Sequence, residues 1–356
     1  MSSLDSHGRA RAHTYNEIVD RPRIRPLTAV AALFAALFCI APANAQTANA
    51  QLLQAGSSPV IRIQARWAEL TLRAWDRAQV QIVSSAPVEA RHFSAQAVRR
   101  AIPGGDVPVF GTEIKTPRGA LRLQQEDFPV DGIAGSQHDG VAVLGGDSGA
   151  SITVTVPADS ALVLVMAGRG AVHVNGYHGA LVARLHNGPI DINDSSGEAY
   201  VEAARGTITV SDSTYGRIRA RTAAGNIFFS RCSAHQIEVS SIRGNIVYDN
   251  GTFAPGLARF ETQQGNIALG VASGGVQIGA HSATGRIVSA FDRPGAAVSG
   301  SPTDTQAIVN GGGPVVTLNA GNGTVFLYDG SLRKNARVQQ KWGARARICA
   351  GRRCRP

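Results

Sequence analysis

Methionine and lysine are scarce: two methionines in 356 residues, and three lysines among 35 basic side chains. So few methionines beside forty glycines speak against a helical protein and for a β-repeat one. The lysine shortage reflects a GC-rich genome and says little about function. A nucleophile elbow, a P-loop and a dinucleotide-binding fingerprint are all missing, so no motif announces a reaction. Long apolar runs are missing as well, with one exception. Leu27 to Ile40 is apolar over 14 residues, short of the roughly 20 that cross a bilayer as a helix.

That run reads as the core of a secretion signal. Arg21, Arg23 and Arg25 precede it and Ala43-Asn44-Ala45 follows it, which supplies a charged n-region and a small-residue cleavage site. An uncleaved anchor is the competing reading. Bulky Phe38 makes Cys39 a poor lipidation site, and the long leading stretch fits a misplaced start codon. Residues 1–45 are therefore expected to be a signal peptide, and the remaining protein to work in the periplasm or outside the cell. Charge is distributed unevenly. Residues 1–45 carry five basic and three acidic groups, 46–331 carry 21 and 22, and 332–356 carry nine and none. The net charge of +10 is thus mostly a property of the tail, and the near-neutral body argues against nucleic acid as a partner.

The dominant pattern is a glycine with an isoleucine two residues behind it. GPIDI starts at Gly188, GTITV at Gly206, GNIFF at Gly225, GNIVY at Gly244, GNIAL at Gly265 and GRIV at Gly285. Spacings of 18, 19, 19, 21 and 20 residues are those of a stacked repeat. Side chains alternate between the faces of a strand, so Ile190, Ile208, Ile227, Ile246, Ile267 and Ile287 form one inward column. Ile192, Val210, Phe229, Tyr248 and Leu269 form a second. The other half of each repeat carries a further strand with Leu181/Ala183, Ala199/Val201, Ile218/Ala220, Ile237/Val239 and Ala258/Phe260 inward. Its outward columns read Arg184, Glu202, Arg221, Ser240, Glu261 and Val182, Tyr200, Arg219, Glu238, Arg259. Opposite charges follow one another, and a register slip would bring like charges together. The expected fold is all-β: a β-solenoid, β-helix-like, of stacked coils of about 19 residues. The glycines are placed at corners. Asn226, Asn245 and Asn266 behind them fit either an amide ladder or plain turn chemistry.

Along the chain, 46–58 reads as a linker and 59–330 as the repeat domain. Within that domain, 59–84 gives three short strands and 85–148 an irregular insert, with short strands at Gly119–Gln124 and Gly140–Leu144. The core repeats run over 150–291, 294–313 is a Gly/Ser/Pro/Thr loop, and GTVFLY from Gly323 is a candidate cap. A basic tail occupies 331–356. The order of WDR-x-x-V at Trp75–Val80, ITVTVPAD at Ile152–Asp159 and the G-x-I-x-V coils resembles the bacterial putative-adhesin family of secreted β-strand-repeat proteins, a domain of unknown function. The resemblance spans roughly Val60–Tyr328. It implies a β-solenoid-like protein of the cell envelope and supplies no catalytic residues or cofactor; the insert at 85–148 is longer and less regular than the family pattern.

Chemistry-bearing groups are few. Asp194, Asp212, Arg231 and Asp249 read as one column behind the corner glycines. Stacked carboxylates with an arginine beside them could serve a polysaccharide-active enzyme; a charge-balanced turn ladder accounts for them equally simply, and the turn formers Asn193, Ser211, Ser230 and Asn250 around them favour the ladder. His173, His178 and His186 crowd the first coils without a spacing that forces convergence on a metal. GGDSG at Gly145–Gly149 occurs once and reads as an ordinary loop. The tail carries Arg333, Lys334, Arg337, Lys341, Arg345, Arg347, Arg352, Arg353 and Arg355, a composition that suits an anionic membrane surface or acidic glycan or simply a solvated tail. Cys349 and Cys354 can close a small disulfide loop in an oxidising compartment, leaving Cys232 as a buried thiol or an intermolecular link. The reading that follows is a non-catalytic, cofactor-free envelope or surface protein, adhesin-like, that contacts an envelope protein or glycan through its outer strands. A periplasmic sensor or stress-response partner is the alternative, and a polysaccharide-active enzyme the remotest one.

Overall fold

The chain divides into two units, Met1–Ala45 and Gln46–Pro356. The structure, a computed structural model, describes residues 49–102, 105–116, 119–122, 126–127, 137–145, 148–291 and 295–330, with side chains outside 94–138. The expected signal peptide and the basic tail lie outside the described residues.

The described residues contain strands and no helix. The first nine strands are β1 (Asn49–Gln54), β2 (Val60–Trp75), β3 (Gln79–Ser84), β4 (Val88–Ile102), β5 (Gly105–Thr116), β6 (Gly119–Arg122), β7 (Glu126–Asp127), β8 (Gln137–Gly145) and β9 (Ala150–Pro157). The middle of the chain gives β10 (Leu162–Asn175), β11 (His178–Asn187), β12 (Ile190–Asn193), β13 (Ser196–Arg205), β14 (Ile208–Ser211), β15 (Thr214–Ala224), β16 (Ile227–Ser230), β17 (Ser233–Arg243) and β18 (Ile246–Gln264). The last are β19 (Ile267–Val271), β20 (Val276–Ser282), β21 (Ile287–Ala290), β22 (Ala296–Gly300), β23 (Asp304–Val309), β24 (Val315–Asn322) and β25 (Val325–Asp329). All join one hydrogen-bonded network.

Two parallel ladders run through that network. In the first, Ile190 pairs with Ile208, Ile208 with Ile227, Ile227 with Ile246, Ile246 with Ile267 and Ile267 with Val325. In the second, Leu181 pairs with Ala199, Ala199 with Ile218, Ile218 with Ile237, Ile237 with Ala258 and Ala258 with Val316. Both sets of side chains are buried in one core cluster, as the alternation requires. A fully buried isoleucine is worth about 1.5–3 kcal/mol relative to an exposed one, so the ladder is held chiefly by this shared column. The 21-residue coil between Gly244 and Gly265 keeps register by bulging: Ala234 pairs with Phe253 but Gln236 with Leu257, so the surplus is taken up around Ala254 and Pro255.

Spatial order departs from chain order at both ends. The coil of β24 and β25 does not cap the stack. It lies between β18–β19 and β20–β21, pairing with both. At the other end β2 lies between β10 and the β8–β9 coil. In each case the outermost coil then carries antiparallel strands: β3 and β4 on β9 and β8, β23 and then β22 on β20. Several expectations change accordingly. Residues 294–313 hold the β22–β23 hairpin, because Thr305, Ala307 and Val309 alternate inward. Part of the expected 46–58 linker is β1, paired with β3. Residues 59–84 form two strands, since Ile61, Ile63, Leu70 and Leu72 share β2. The insert at 85–148 is built on a 15-residue strand, β4, paired antiparallel with both β5 and β8.

The corner glycines are fixed by contact. A β-carbon on Gly206 would stand 1.7 Å from the Gly188 carbonyl oxygen, and one on Gly225 1.9 Å from that of Gly206. Each glycine therefore rests on the carbonyl of the coil beneath. Buried hydroxyls hold those carbonyls: Thr222 donates to Gly206 O at 3.3 Å, Ser241 to Gly225 O at 3.2 Å, Thr262 to Gly244 O at 2.9 Å and Ser282 to Gly323 O at 2.7 Å. Asn226, Asn245 and Asn266 form a true ladder, each side-chain oxygen accepting from the backbone N–H of the next coil at 2.8 Å. Replacing Gly225 with alanine is expected to cost about 3 kcal/mol or more in urea unfolding. Gly216→Ala, where the nearest atom would be 3.7 Å away, is expected to stay within about 1 kcal/mol. Equal stability of the two variants would refute the contact argument.

Candidate binding groove

The outer face of the second ladder carries three concavities. A cleft of about 890 Å³ is lined on β2, β8, β10, β11 and β13 by residues including Gln64, Arg66, Leu144, Met166, Arg184 and Glu202. A second, of about 520 Å³, includes Ser240, Glu261, Asn319 and His281 on β17, β18, β24 and β20. Between them a third, of about 280 Å³, includes Arg221, Glu238 and Arg259. The three clefts share one row of equivalent positions. Leu144 pairs with Gln64, Gln64 with Met166, Met166 with Arg184, Arg184 with Glu202, and the register continues through Arg221, Ser240, Glu261 and Asn319 to His281. The clefts thus trace one line across ten strands, at right angles to them, roughly 43 Å long for nine steps of about 4.8 Å.

Its charge changes along that line. The predicted outward ladder exists: Arg184 meets Glu202 at 3.4 Å, and Arg219 meets Glu238 at 2.7 Å. Arg259 instead turns along its own strand to Glu261, at 2.5 Å; Asn319 also donates to Glu261, at 3.1 Å. Together these partners hold the Glu261 carboxyl below the usual range even though desolvation opposes them. At the β8 end the charged residues of the lining are mostly basic: Arg66, Arg91 and Arg184 against Glu202. Arg62 is 3% exposed and donates to Gln64 Oε1 at 3.3 Å. Arg91 is close to Glu89 at 3.3 Å, and Arg184 lies over the Tyr200 ring at 5.3 Å. Arg62 and Arg91 were not singled out from sequence. The only available signal was an arginine between Ile61 and Ile63 in a strand, and the pairing of β8 with β2 and β4 was not legible.

The predicted carboxylate column is corrected. The stacked positions are Asp194, Asp212, Arg231 and Asn250, all with φ near +50°, at a corner where the N–H donates to a carbonyl of the next repeat: Asp212 N to Ser230 O and Arg231 N to Asp249 O. Asp249 belongs one place earlier, paired with Ser230, and accepts from the Tyr328 hydroxyl at 3.1 Å. Arg231 grips Asp212 through two nitrogens, each at 2.5 Å, and holds its carboxyl below the usual range. Aspartate, asparagine and glycine tolerate this left-handed turn, and the arginine there is anchored by its carboxylate. The column therefore forms a turn, with Asp212 and Arg231 paired across it.

Cys232 also has a structural place. Ser195, Ser213 and Cys232 occupy equivalent positions, each donating to a carbonyl two residues back: Asn193 O at 3.1 Å, Ser211 O at 2.7 Å and Ser230 O at 3.4 Å. Burial pushes the thiol up to about 11. Cys349, Cys354 and the nine basic residues from Arg333 to Arg355 lie outside the described residues. His178 bonds Ser196 at 2.9 Å, His186 lines the large cleft, and His173 lies between Asp191 at 3.3 Å and Glu69 at 3.8 Å. The three do not converge; among the described residues no group of three or more metal-binding side chains occurs.

No family model matches the chain, and no curated protein matches it. Among solved structures, a putative cell adhesion protein from Clostridium sporogenes is similar over 79% of this chain and 99% of its own, at 8% identity and a TM-score of 0.23. A TM-score this low assigns neither fold nor function, and the adhesin family remains a resemblance of motifs.

Two outcomes follow from this geometry. Cys232→Ser is expected to unfold within about 1 kcal/mol of the native chain, and Cys232 to resist alkylation until urea opens the fold; rapid native labelling would contradict its burial. The His173 ring, raised above its ordinary value by the hydrogen bond to Asp191 despite desolvation, stabilises the fold fully below the unfolded value of about 6.5, and this contribution fades as pH rises through the raised folded value. Asp191→Asn should therefore narrow its stability deficit between pH 6 and pH 9. A deficit that is constant with pH would exclude the pairing.

Proposed function

We propose that this chain is a non-catalytic protein of the bacterial envelope or cell surface that winds as a β-solenoid and uses its outer groove to hold an envelope glycan or protein. The observation that carries the reading is the alignment of three clefts along one register line of ten strands. A row of clefts running across strands offers contacts at a regular spacing of about 4.8 Å, which suits a thin, extended polymer better than a compact small molecule. The parallel registers at 18 to 21 residues support the winding. Export rests on the sequence at 21–45, and attachment to an anionic surface through 331–356 on composition alone. The non-catalytic part of the reading is supported by the neutralisation of Asp212 by Arg231 and by a turn that accounts for their placement.

The test is to obstruct the channel without touching the core. Ala204 is half-buried and lines the large cleft. Ala204→Trp is expected to lower retention of the full chain on envelope fractions at least fivefold while leaving thermal unfolding unchanged. Undiminished retention would reject the groove as the contact surface.

A further inference from the structure

Resting on the groove reading, we infer that the β8 end of the groove is a subsite for the carboxylates of an acidic, uronate-type glycan. The charged side chains lining the 890 Å³ cleft are Arg66, Arg91, Arg184 and Glu202, with His186 beside them. Within the lining three guanidinium groups face one carboxylate; Glu89, outside the lining, pairs with Arg91 at 3.3 Å, so the arginines of the cleft outnumber the carboxylates beside them by one. Arg91 and Arg184 are recessed, with 23% and 25% of their side chains exposed. A guanidinium presents paired donors in a fixed fork that fits a carboxylate. Arg184 is held in place from two sides, by the Tyr200 ring and by Glu202, so little freedom remains to be lost on binding.

The floor is shaped for a chain lying across it. Gly168 contributes no side chain, and a β-carbon there would stand 2.5 Å from the Arg66 carbonyl oxygen. Leu144 and Met166, both half-buried, add apolar surface between the charges, the mixture that a sugar ring with polar edges and an apolar face requires. Arg66 is exposed, and the recession of Arg91 and Arg184 decides against a bilayer. A flat membrane surface cannot reach arginines that sit within a cleft, whereas a single polysaccharide strand can enter it.

The experiment is calorimetric titration of the full chain with octagalacturonate and with its methyl ester, which keeps the backbone and removes the charge. The double variant Arg66→Gln/Arg184→Gln is compared with Arg73→Gln/Arg77→Gln, an equal change of charge at exposed positions outside the cleft. Because the tail is common to both, its own attraction for anions cancels in the comparison. The groove pair is expected to lose at least tenfold in affinity for the acid, the control pair less than twofold, and the ester to bind at least tenfold more weakly than the acid. Arg66→Lys/Arg184→Lys, which preserves charge, should recover part of the loss and so exclude simple misfolding. Equal effects of the two glutamine pairs, or an equal loss on phosphatidylglycerol vesicles, would overturn the inference. Equal binding of acid and ester that Ala204→Trp still weakens would reject the carboxylate subsite while keeping the groove; binding of neither that responds to Ala204→Trp would reject both.

Discussion

The constraint on which the rest depends is the packing of a glycine against the carbonyl oxygen of the neighbouring repeat. A β-carbon there would stand only 1.7–2.1 Å from that oxygen, and the contact recurs at Gly188, Gly206, Gly225, Gly244, Gly265 and Gly323. That contact sets where each coil turns and therefore which residues of neighbouring coils face each other. The isoleucine column follows from it, since Ile190, Ile208 and Ile227 stand two places behind their glycines and pair directly. The hydroxyls of Thr222, Ser241 and Thr262 satisfy the same carbonyls from inside, so a buried polar row runs beside the apolar one without leaving its acceptors orphaned.

The groove is a by-product of the same register. Once the inward residues are aligned, the outward ones must also align, and any feature at one outward position is repeated along the stack. Charge alternates over Arg184, Glu202 and Arg221, then gives way to Ser240 and Glu261. The inner column keeps one chemistry throughout while the outer one varies from coil to coil. This division separates the core from the outer face: a change at Arg184 leaves Leu181, Ala183 and Leu185 in place beneath it.

The middle of the fold was legible in the sequence to the residue. The inward positions from Leu181 to Phe260 and from Ile190 to Leu269 are buried as the period requires. What the period cannot convey is where the chain leaves it. Nothing local to Gly323 distinguishes a coil that follows Gly285 from one that slips beneath it, because both satisfy the same glycine contact. The β22–β23 hairpin was masked by a composition of glycine, serine and proline, although Thr305, Ala307 and Val309 alternate. The arginine-lined end of the groove was hidden for a related reason: Arg66, Arg91 and Arg184 lie on β2, β4 and β11, far apart in sequence, and come to one cleft only through the pairings of β8 with β2 and β4 and of β10 with β2 and β11.

The interleaved ends bear on how such a protein can change length. At either extremity a coil is clasped between two others that are distant in the chain, β2 between β10 and β8–β9, and β24–β25 between β18–β19 and β20–β21. Material added at the termini of the repeat would disturb those clasps. Between β11 and β18, in contrast, each coil touches only its sequence neighbours, so a unit of 18 or 19 residues could be duplicated or deleted there with both clasps intact. Evolution of reach in this architecture is therefore confined to the centre, and each duplicated unit would lengthen the groove by one step.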